Sequence, residues 1–281
     1  MQVFREIAAL RAFLNPVRVT KTIGLVPTMG ALHQGHLALI AESKKTNDLT
    51  VATIFVNPTQ FNNAEDLEKY PRTFEEDCRK LEASGCEVLF FPSVKEMYPI
   101  PSSLTMNFGS LNEVLEGKFR PGHFSGVGLV VSKLFHIVQP TRAYFGQKDF
   151  QQFMVIKKLV EELCLPVELM RVPTLREPDG LAMSSRNLRL NTNERQRAAI
   201  LYQALQEARR QVKQQVPWKK IVDQISEMVS RSDIRLEYLA LADTENLEAT
   251  ENVTDVRPKV LLIAAYVGDV RLIDNVLLDE N

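Results

Sequence analysis

Two histidines, His33 and His36, lie three residues apart in the segment PTMGALHQGHL, residues 27–37. This spacing places both imidazole rings on one side of a helix that begins here. The flanking Gly30 and Gly35 permit a tight backbone and a close ligand approach. A helix N-terminus offers free N–H groups and the positive end of the dipole, so the segment suits phosphate. The two rings could donate hydrogen bonds as negative charge moves from an α-phosphate to leaving pyrophosphate.

The histidine pair has two other interpretations, a structural pair and part of a metal site. An isolated H-x-x-H pattern does not separate them. Zinc would need further ligands, and none lies nearby in the sequence. The position between an apolar strand and a helix, with Gly30 before the pair and Gly35 between the two histidines, favours phosphate chemistry.

Two later segments add cations and hydroxyl groups. In GQKDFQQ, residues 146–152, Lys148 offers a positive charge to phosphate oxygens, while Asp149 could cap a helix or help to hold Mg²⁺ or a ribose. A surface lysine beside a capping aspartate is the alternative. In DGLAMSSRN, residues 179–187, a mobile loop containing Gly180 could close over a triphosphate. The donors there are Ser184, Ser185 and Arg186.

Other polar residues are less specific. Gln60, in NPTQF at 57–61, carries an amide that can donate to a carboxylate and accept from a hydroxyl, which suits a hydroxy acid, although it could be a simple turn residue. Asp77 could be a solvated residue of its helix. His123, in RPGHFSGV, has a structural and a catalytic interpretation that we leave open. His136 lies among apolar residues and is interpreted as structural.

The elements that would position these residues alternate between strands and helices from residue 20 to about 175, which predicts a parallel sheet covered on both faces. In such a doubly wound α/β unit, ligands bind at the carboxyl ends of the strands. The N-terminal segment, residues 1–14, is predicted as an amphipathic helix. The predicted strands are Ile23–Thr28, Leu49–Asn57, Val88–Pro92, Arg142–Gly146 and Val167–Pro173, and the predicted helices are His36–Lys45, Thr73–Ser84, Ser125–Val138 and Asp149–Leu163.

A second, smaller α+β domain is predicted after Pro173. We therefore expect a Rossmann-like domain over residues 1–175 and a C-terminal domain over residues 176–281 that closes over the site. The Gly268-Asp269 pair predicts a tight hairpin. The predicted helices are Thr192–Gln214 and Trp218–Ser230, and the predicted strands are Arg235–Ala242, Val260–Val267, taken as central, and Val270–Leu277.

The composition argues against several classes of protein. The formal charge of −1 gives no global field for nucleic acid or an anionic membrane. No apolar run approaches the roughly 20 residues of a membrane-spanning helix, and the N-terminus lacks a signal peptide's apolar core. Cys78, Cys86 and Cys164 show no metal or redox spacing and are interpreted as small hydrophobes in a reducing compartment. A cytoplasmic enzyme is expected.

Six motifs together resemble one family. The segments PTMGALHQGH, NPTQF, YPR, RPGHFSGV, GQKDFQQ and DGLAMSSRN follow one another in the order and approximate spacing of the pantoate–β-alanine ligases, also called pantothenate synthetases. This family belongs to the nucleotidyltransferase-like superfamily with its H-x-G-H signature. The resemblance covers nearly the whole chain and is weakest beyond about residue 200.

The resemblance implies a reaction in which ATP and pantoate form pantoyl adenylate, and β-alanine then attacks the acyl carbon to give pantothenate and AMP. It implies Mg²⁺, with Asp77 matching a family carboxylate that is associated with the metal. It also implies a homodimer. Gln60 and Gln152 are expected to bind pantoate, with β-alanine also arriving near Gln60. His33, His36, Lys148, Ser184, Ser185 and Arg186 are expected to be catalytic. The expected ATP-binding residues are Met29, Gly30, Ala31, Leu32, His33, Gln34, Gly35, His36, Gly146, Gln147, Lys148, Asp149, Leu175, Met183, Ser184, Ser185 and Arg186.

Two other functions compete with this one. A nucleotidyltransferase could join AMP or CMP to a phosphorylated acceptor and stop there. A nucleotide sensor could bind ATP without turnover, although the joint presence of two histidines, a lysine and an arginine in these motifs argues against it.

Overall fold

The computed structural model describes residues 1–279 and forms two compact units. The first, here called the sheet unit, comprises Met1–Gln147 and Gln151–Pro173. The second, here called the C-terminal unit, comprises Lys148–Phe150 and the chain from Thr174 onward. Residues 280 and 281, at the end of the predicted C-terminal domain, lie outside the described residues.

The sheet unit contains six parallel strands in the order β1-β4-β3-β2-β5-β6. Four consecutive residues of β2, Ile23–Val26, are buried, as are five of β3. Continuous burial of this kind requires cover on both faces of a sheet. The strands are β1 (Gln2–Phe4), β2 (Ile23–Thr28), β3 (Leu49–Ile54), β4 (Val88–Phe90), β5 (Arg142–Gly146) and β6 (Glu168–Val172).

Helices provide that cover. Helix α2 packs against β2, β3 and β5, while α1 and α7 pack against each other and α7 also against β2. The predicted doubly wound α/β class is confirmed. The helices are α1 (Ile7–Val17), α2 (Gln34–Thr46), α3 (Ala64–Glu68), α4 (Phe74–Ala83), α5 (Val94–Met97), α6 (Leu115–Phe119), α7 (His123–Val138) and α8 (Phe150–Glu162), with 3₁₀ turns at Pro58–Gln60, Gly109–Asn112 and Gln147–Asp149.

Two expectations about this unit were wrong. The first residues of the chain form β1 instead of a helix, because Val3 pairs with Leu89 at the edge of the sheet and α1 starts only at Ile7. This tertiary pairing overrides the local helical pattern. Cys164 is exposed, with φ of +49°, and does not behave as a buried hydrophobe.

The C-terminal unit packs helices against a small antiparallel sheet of order β7-β8-β9. The nearly all-apolar β8 is the central strand, and the turn at Gly268-Asp269 joins it to β9, both as predicted. The helix predicted as Thr192–Gln214 is divided at Ala199 into two helices. The elements are α9 (Thr192–Ala198), α10 (Ile200–Lys213), α11 (Trp218–Ser230), β7 (Arg235–Asp243), β8 (Lys259–Val267) and β9 (Val270–Leu277), with a 3₁₀ turn at Ser185–Arg189.

Candidate active site

The order of the strands creates a switch point in the sheet unit. From β2 the chain proceeds through β3 and β4 to one side, and β5 and β6 lie on the other side of β2. Strand β2 pairs with β3 along six residues but with β5 only at Gly24 and Leu25, so β2 and β5 are no longer paired toward their carboxyl ends. Ligands bind in α/β sheets at this kind of crevice.

The histidine segment leaves β2 at that crevice. Gly30 and Ala31 both have positive φ, +83° and +49°, so the backbone turns sharply after Thr28. His33 then has extended backbone angles and is the N-cap of α2, which begins at Gln34, two residues earlier than predicted. The N–H groups of the first turn of α2 therefore belong to residues of this segment.

The two imidazole rings lie together, with centroids 4.0 Å apart. The Nδ1 atom of His36 is 3.3 Å from the main-chain nitrogen of His33, which donates to it. An Nδ1 atom that accepts a hydrogen bond carries no proton, so the ring proton of His36 is on Nε2. Helix capping thus occupies Nδ1 of His36 and leaves Nε2 as the donor atom of that ring.

Helix α4 contacts the main chain of the histidine segment through two side chains. Both carboxylate oxygens of Asp77 accept main-chain hydrogen bonds, from Ala31 at 2.9 Å and from Leu32 at 2.7 Å. One turn further along α4, Lys80 donates to the carbonyl oxygen of Leu32 at 2.6 Å. Asp77 is 1% exposed, so its interpretation as a solvated residue was wrong. These contacts support a role in fixing the histidine segment and offer no support for the magnesium role.

Gln60 lies next to the histidine segment. Its amide nitrogen is 3.2 Å from the sulfur of Met29, and its amide oxygen accepts from Asn57 at 3.1 Å. The Nδ1 atom of His123 lies 2.8 Å from the main-chain oxygen of Gln60, and the Nε2 atom lies 3.1 Å from Arg120. The tautomer with its proton on Nδ1 satisfies both contacts. His123 therefore supports the backbone that carries Gln60, which favours its structural interpretation.

The remaining predicted residues of the sheet unit follow β5. Gly146 is the last residue of that strand, and the next residue, Gln147, is buried. Gln152 is partly buried near the start of α8. His136 is exposed on α7, with Nδ1 2.7 Å from the carbonyl oxygen of Ser132, and does not take part in these contacts.

In the C-terminal unit, Lys148 is held at its backbone. Its carbonyl oxygen accepts a 2.8 Å hydrogen bond from the side-chain amide of Asn275, a residue of β9. The side chain of Lys148 is 17% exposed, and its ammonium group is 3.4 Å from a carboxylate oxygen of Asp149. The ammonium group is therefore partly shielded from water.

The second segment that the sequence predicts to bind phosphate is a closed turn. Leu175 and Met183 are joined by a 3.1 Å main-chain hydrogen bond, and Arg176 pairs with Ala182 across the turn. Gly180 has φ of +92° at its tip. The mobility that the sequence suggested for this segment stays a prediction.

The serines and the arginine lie at the end of this turn. The hydroxyl oxygen of Ser184 accepts from the main-chain nitrogen of Arg186 and caps the 3₁₀ turn that begins at Ser185, which is itself buried. Leu175, Met183, Ser184, Ser185 and Arg186 therefore belong to one compact structure within the C-terminal unit.

An ion pair beneath the turn was not predicted. Arg176 contacts both carboxylate oxygens of Asp274, at 2.6 and 3.1 Å. Burial raises the pKa of Asp274 above its ordinary value, against the opposing effect of the guanidinium group of Arg176. The same guanidinium donates to the carbonyl oxygen of Gly180 at 3.1 Å and stacks over the ring of Tyr202 at 3.9 Å.

The residues missed by sequence reasoning share one property. Lys80, Asn57, Asn275 and the Arg176–Asp274 pair act through contacts with partners that fold topology supplies, which for Asn57 is the carbonyl oxygen of Gly126. Only Asn57 carried a signal, because it belongs to the NPTQF motif. Within residues 1–279, no group of three or more His, Cys, Asp or Glu side chains is placed to hold a metal ion. The helices of the same residues include none with the length and apolar character of a membrane span.

Comparisons with known proteins agree with this architecture. The family model described as pantoate-beta-alanine ligase matches residues 2–277. Pantothenate synthetase of Cytophaga hutchinsonii is 47% identical over 269 residues, which is 93% of each chain. The crystal structure of pantothenate synthetase from Thermus thermophilus superposes with a TM-score of 0.93 at 41% identity, over 99% of each chain.

A third relative was crystallised with ligands. The pantoate-beta-alanine ligase of Francisella tularensis, complexed with beta-gamma ATP and beta-alanine, has a TM-score of 0.85 and 35% identity, and the match covers 100% of this chain and 99% of that one. The matches in sequence and structure extend through both units. The chain belongs to the pantoate–β-alanine ligase family.

Proposed function

We propose that this chain catalyses the ATP-dependent condensation of (R)-pantoate with β-alanine to pantothenate, with release of AMP and pyrophosphate. The observation that carries the proposal is the start of α2: two imidazole rings 4.0 Å apart on a fixed helix N-terminus, at the switch point of the sheet, in a chain of this family. The ligands of the Francisella relative support ATP and β-alanine as substrates.

In the first step, a carboxylate oxygen of pantoate attacks the α-phosphorus of ATP. The bond from that phosphorus to the bridging oxygen breaks, and pyrophosphate leaves with the bond's electron pair. This step needs positioning and charge neutralisation more than a protein nucleophile. The proton on Nε2 of His36 equips that ring to donate to the phosphate oxygens on which charge accumulates.

Other residues have assigned roles in this step. We propose that His33 is the second imidazole donor. Lys148 and Arg186 provide positive charge for the triphosphate. Ser184 and Ser185 contribute hydroxyl or backbone donors. The rest of the proposed ATP site consists of Met29, Gly30, Ala31, Leu32, Gln34, Gly35, Gly146, Gln147, Asp149, Leu175 and Met183.

In the second step, the amine of β-alanine attacks the acyl carbon of pantoyl adenylate. The bond from carbon to the AMP oxygen breaks, AMP leaves, and the nitrogen loses a proton to form the amide. We propose that Gln60 and Gln152 hold pantoate throughout. The bond from Asn57 holds the side-chain amide of Gln60, and the bond from His123 holds its main-chain oxygen. Both support a fixed orientation of this residue, which suits recognition of a hydroxy acid.

Magnesium enters this proposal as part of the ATP substrate. The described residues offer no ligand cage, and both oxygens of Asp77 accept main-chain hydrogen bonds. Mg²⁺ is commonly bound through substrate phosphates with few protein carboxylates. No step is assigned to a protein-bound metal.

An assay of the released products tests the reaction. With ATP and pantoate alone, we expect pyrophosphate but little AMP; β-alanine should release AMP and pantothenate in equal amounts, identified by mass spectrometry. Nucleotide transfer to a phosphorylated acceptor, or ATP binding without pyrophosphate release, would overturn the proposal in favour of a nucleotidyltransferase or a sensor.

On the resemblance alone, we further propose a cytosolic homodimer. Sedimentation equilibrium should give twice the chain mass of 31.9 kDa. A concentration-independent monomer mass would contradict the dimer, and fractionation of the source cells tests the location.

A further inference from the structure

Strand β9 carries two adjacent buried polar residues that the proposed reaction does not use. Asp274 is 4% exposed and Asn275 is 1% exposed, in a strand otherwise rich in buried apolar residues. A buried polar group is costly unless it is hydrogen-bonded, so the partners of this pair define what the pair does.

Asn275 connects β9 to the segment of Lys148. Its amide nitrogen donates to the Lys148 carbonyl oxygen at 2.8 Å, across 127 positions of sequence. Residues Lys148–Phe150 belong to the C-terminal unit although the chain on both sides of them belongs to the sheet unit. The hydrogen bond from Asn275 thus helps to hold the segment Lys148–Phe150, and with it the backbone of Lys148, against β9.

Asp274 connects the same strand to the second phosphate-binding turn. Its carboxylate holds the guanidinium of Arg176 through two hydrogen bonds, and that guanidinium holds the carbonyl oxygen of Gly180. Arg176 also donates to the carbonyl oxygen of Asn275 at 3.1 Å, and the main-chain nitrogen of Asn275 donates to Asp274 at 2.8 Å. The two connections are therefore one continuous network.

We propose that Asp274 and Asn275 are positioning residues for ATP, through which β9 sets the backbone of Lys148 and, by way of Arg176, the turn that carries Ser184 to Arg186. This inference rests on the proposed function for the identity of the ligand. Neither residue touches substrate in it; each acts through the residue it holds. A forked guanidinium contact suits such a task because it fixes orientation as well as distance.

A double-mutant cycle on ATP affinity tests the Asn275 connection. The ATP dissociation constant is measured by calorimetry for the wild-type chain, Asn275→Ala, Lys148→Met and the double variant. Loss of this partly buried hydrogen bond to the Lys148 carbonyl should weaken ATP binding about tenfold in the wild-type background. If Asn275 acts through Lys148, the same substitution should cost less than about twofold in the Lys148→Met background.

Asp274→Asn with Arg186→Met provides a parallel cycle for the second connection, and it keeps the proposal testable if one variant fails to fold. Gln211→Ala is the matched control, because Gln211 is a buried amide of the same unit whose side chain donates to Glu207 and not to Asp274, Asn275 or Arg176. It should leave ATP affinity unchanged even if thermal unfolding shifts.

The outcomes separate the two proposals. Equal losses in both backgrounds, or no loss from Asn275→Ala and Asp274→Asn, would overturn the positioning role. A wild-type chain that binds ATP but makes no pantothenate would overturn the proposed function. The double-mutant cycles would still test the positioning role, because they measure ATP affinity. A wild-type chain that does not bind ATP would overturn both.

Discussion

The main-chain nitrogen of Leu32 lies 2.7 Å from a carboxylate oxygen of Asp77, and that of Ala31 lies 2.9 Å from the other oxygen. A single buried side chain on α4 thus fixes the two residues immediately before His33. Because Ala31 has positive φ, the turn is held in a conformation that alanine seldom adopts unaided. We therefore expect the orientation of the histidines at the start of α2 to depend on this carboxylate.

Replacing Asp77 with asparagine tests that dependence. The amide keeps one acceptor oxygen but turns an NH₂ group toward a main-chain N–H, which leaves a buried donor unsatisfied. We expect a stability loss of about 1–3 kcal/mol in urea unfolding. We also expect at least a roughly tenfold fall in kcat, since small misplacements of catalytic groups are costly.

Glu75→Gln is the control for Asp77, because Glu75 lies in the first turn of the same helix and is not buried. It should change neither property. Wild-type kcat in folded Asp77→Asn would show that the histidine segment keeps its geometry without the carboxylate.

His36→Ala tests the proposed donor. Removal of one preorganised donor to developing charge should lower kcat on the order of 10²–10³-fold at saturating ATP. The exposed His136, substituted in the same way, should leave kcat unchanged. Near-normal turnover of folded His36→Ala would refute the catalytic assignment.

Much of the sheet unit could be predicted because its central strands are mostly apolar and buried. Ile23–Thr28 and Arg142–Gly146 were predicted with the bounds that the structure has. Strand β3 ends at Ile54, before the predicted Asn57, because Asn57 caps a 3₁₀ turn. Strand β1 has only three residues, too few for a periodic signal, and exists through pairing with β4.

The site was predictable where chemistry is local in sequence. The His33–His36 pair depends on a spacing of three along one helix start, and the rings lie together as expected. The contact from Asp77 to Leu32 spans 45 positions and that from Arg176 to Asp274 spans 98, so each requires the fold before it can be seen. Local patterns therefore identified the groups proposed to act on substrate, but not the groups that hold them.

Gln60→Ala tests the proposed pantoate contact. Removal of the amide should raise KM for pantoate about tenfold, in line with one or two lost hydrogen bonds, and leave KM for ATP unchanged. Gln203→Ala, an exposed amide on α10, should affect neither constant. A rise in KM for ATP alone would place Gln60 elsewhere in the reaction.

Asp179 offers a test by pH. Hydrogen bonds from Arg195, at 2.6 and 3.1 Å, lower the pKa of this carboxyl. The folded-state pKa lies below the unfolded value of about 3.9, so the ion pair's contribution to stability is present above that pH and is lost as pH falls through the folded pKa. Carboxyl ¹³C NMR should show Asp179 titrating below about pH 3.9 in the wild type.

Arg195→Ala should move the Asp179 titration upward, whereas Arg209→Ala should not. An unchanged Asp179 titration in Arg195→Ala would mean that the pair is not formed in solution.

The cysteines give a test of burial. Burial raises the pKa of the Cys86 thiol to about 11, so at pH 8 about one molecule in a thousand carries the reactive thiolate. Cys164 is exposed, and should be alkylated in the folded protein while Cys86 is labelled only after unfolding. Mass spectrometry of digested, iodoacetamide-treated protein measures both sites, and Cys164→Ser should abolish the fast label. If Cys86 were labelled as fast as Cys164 in the folded chain, the region beneath β3 and β4 would open far more readily than its packing allows.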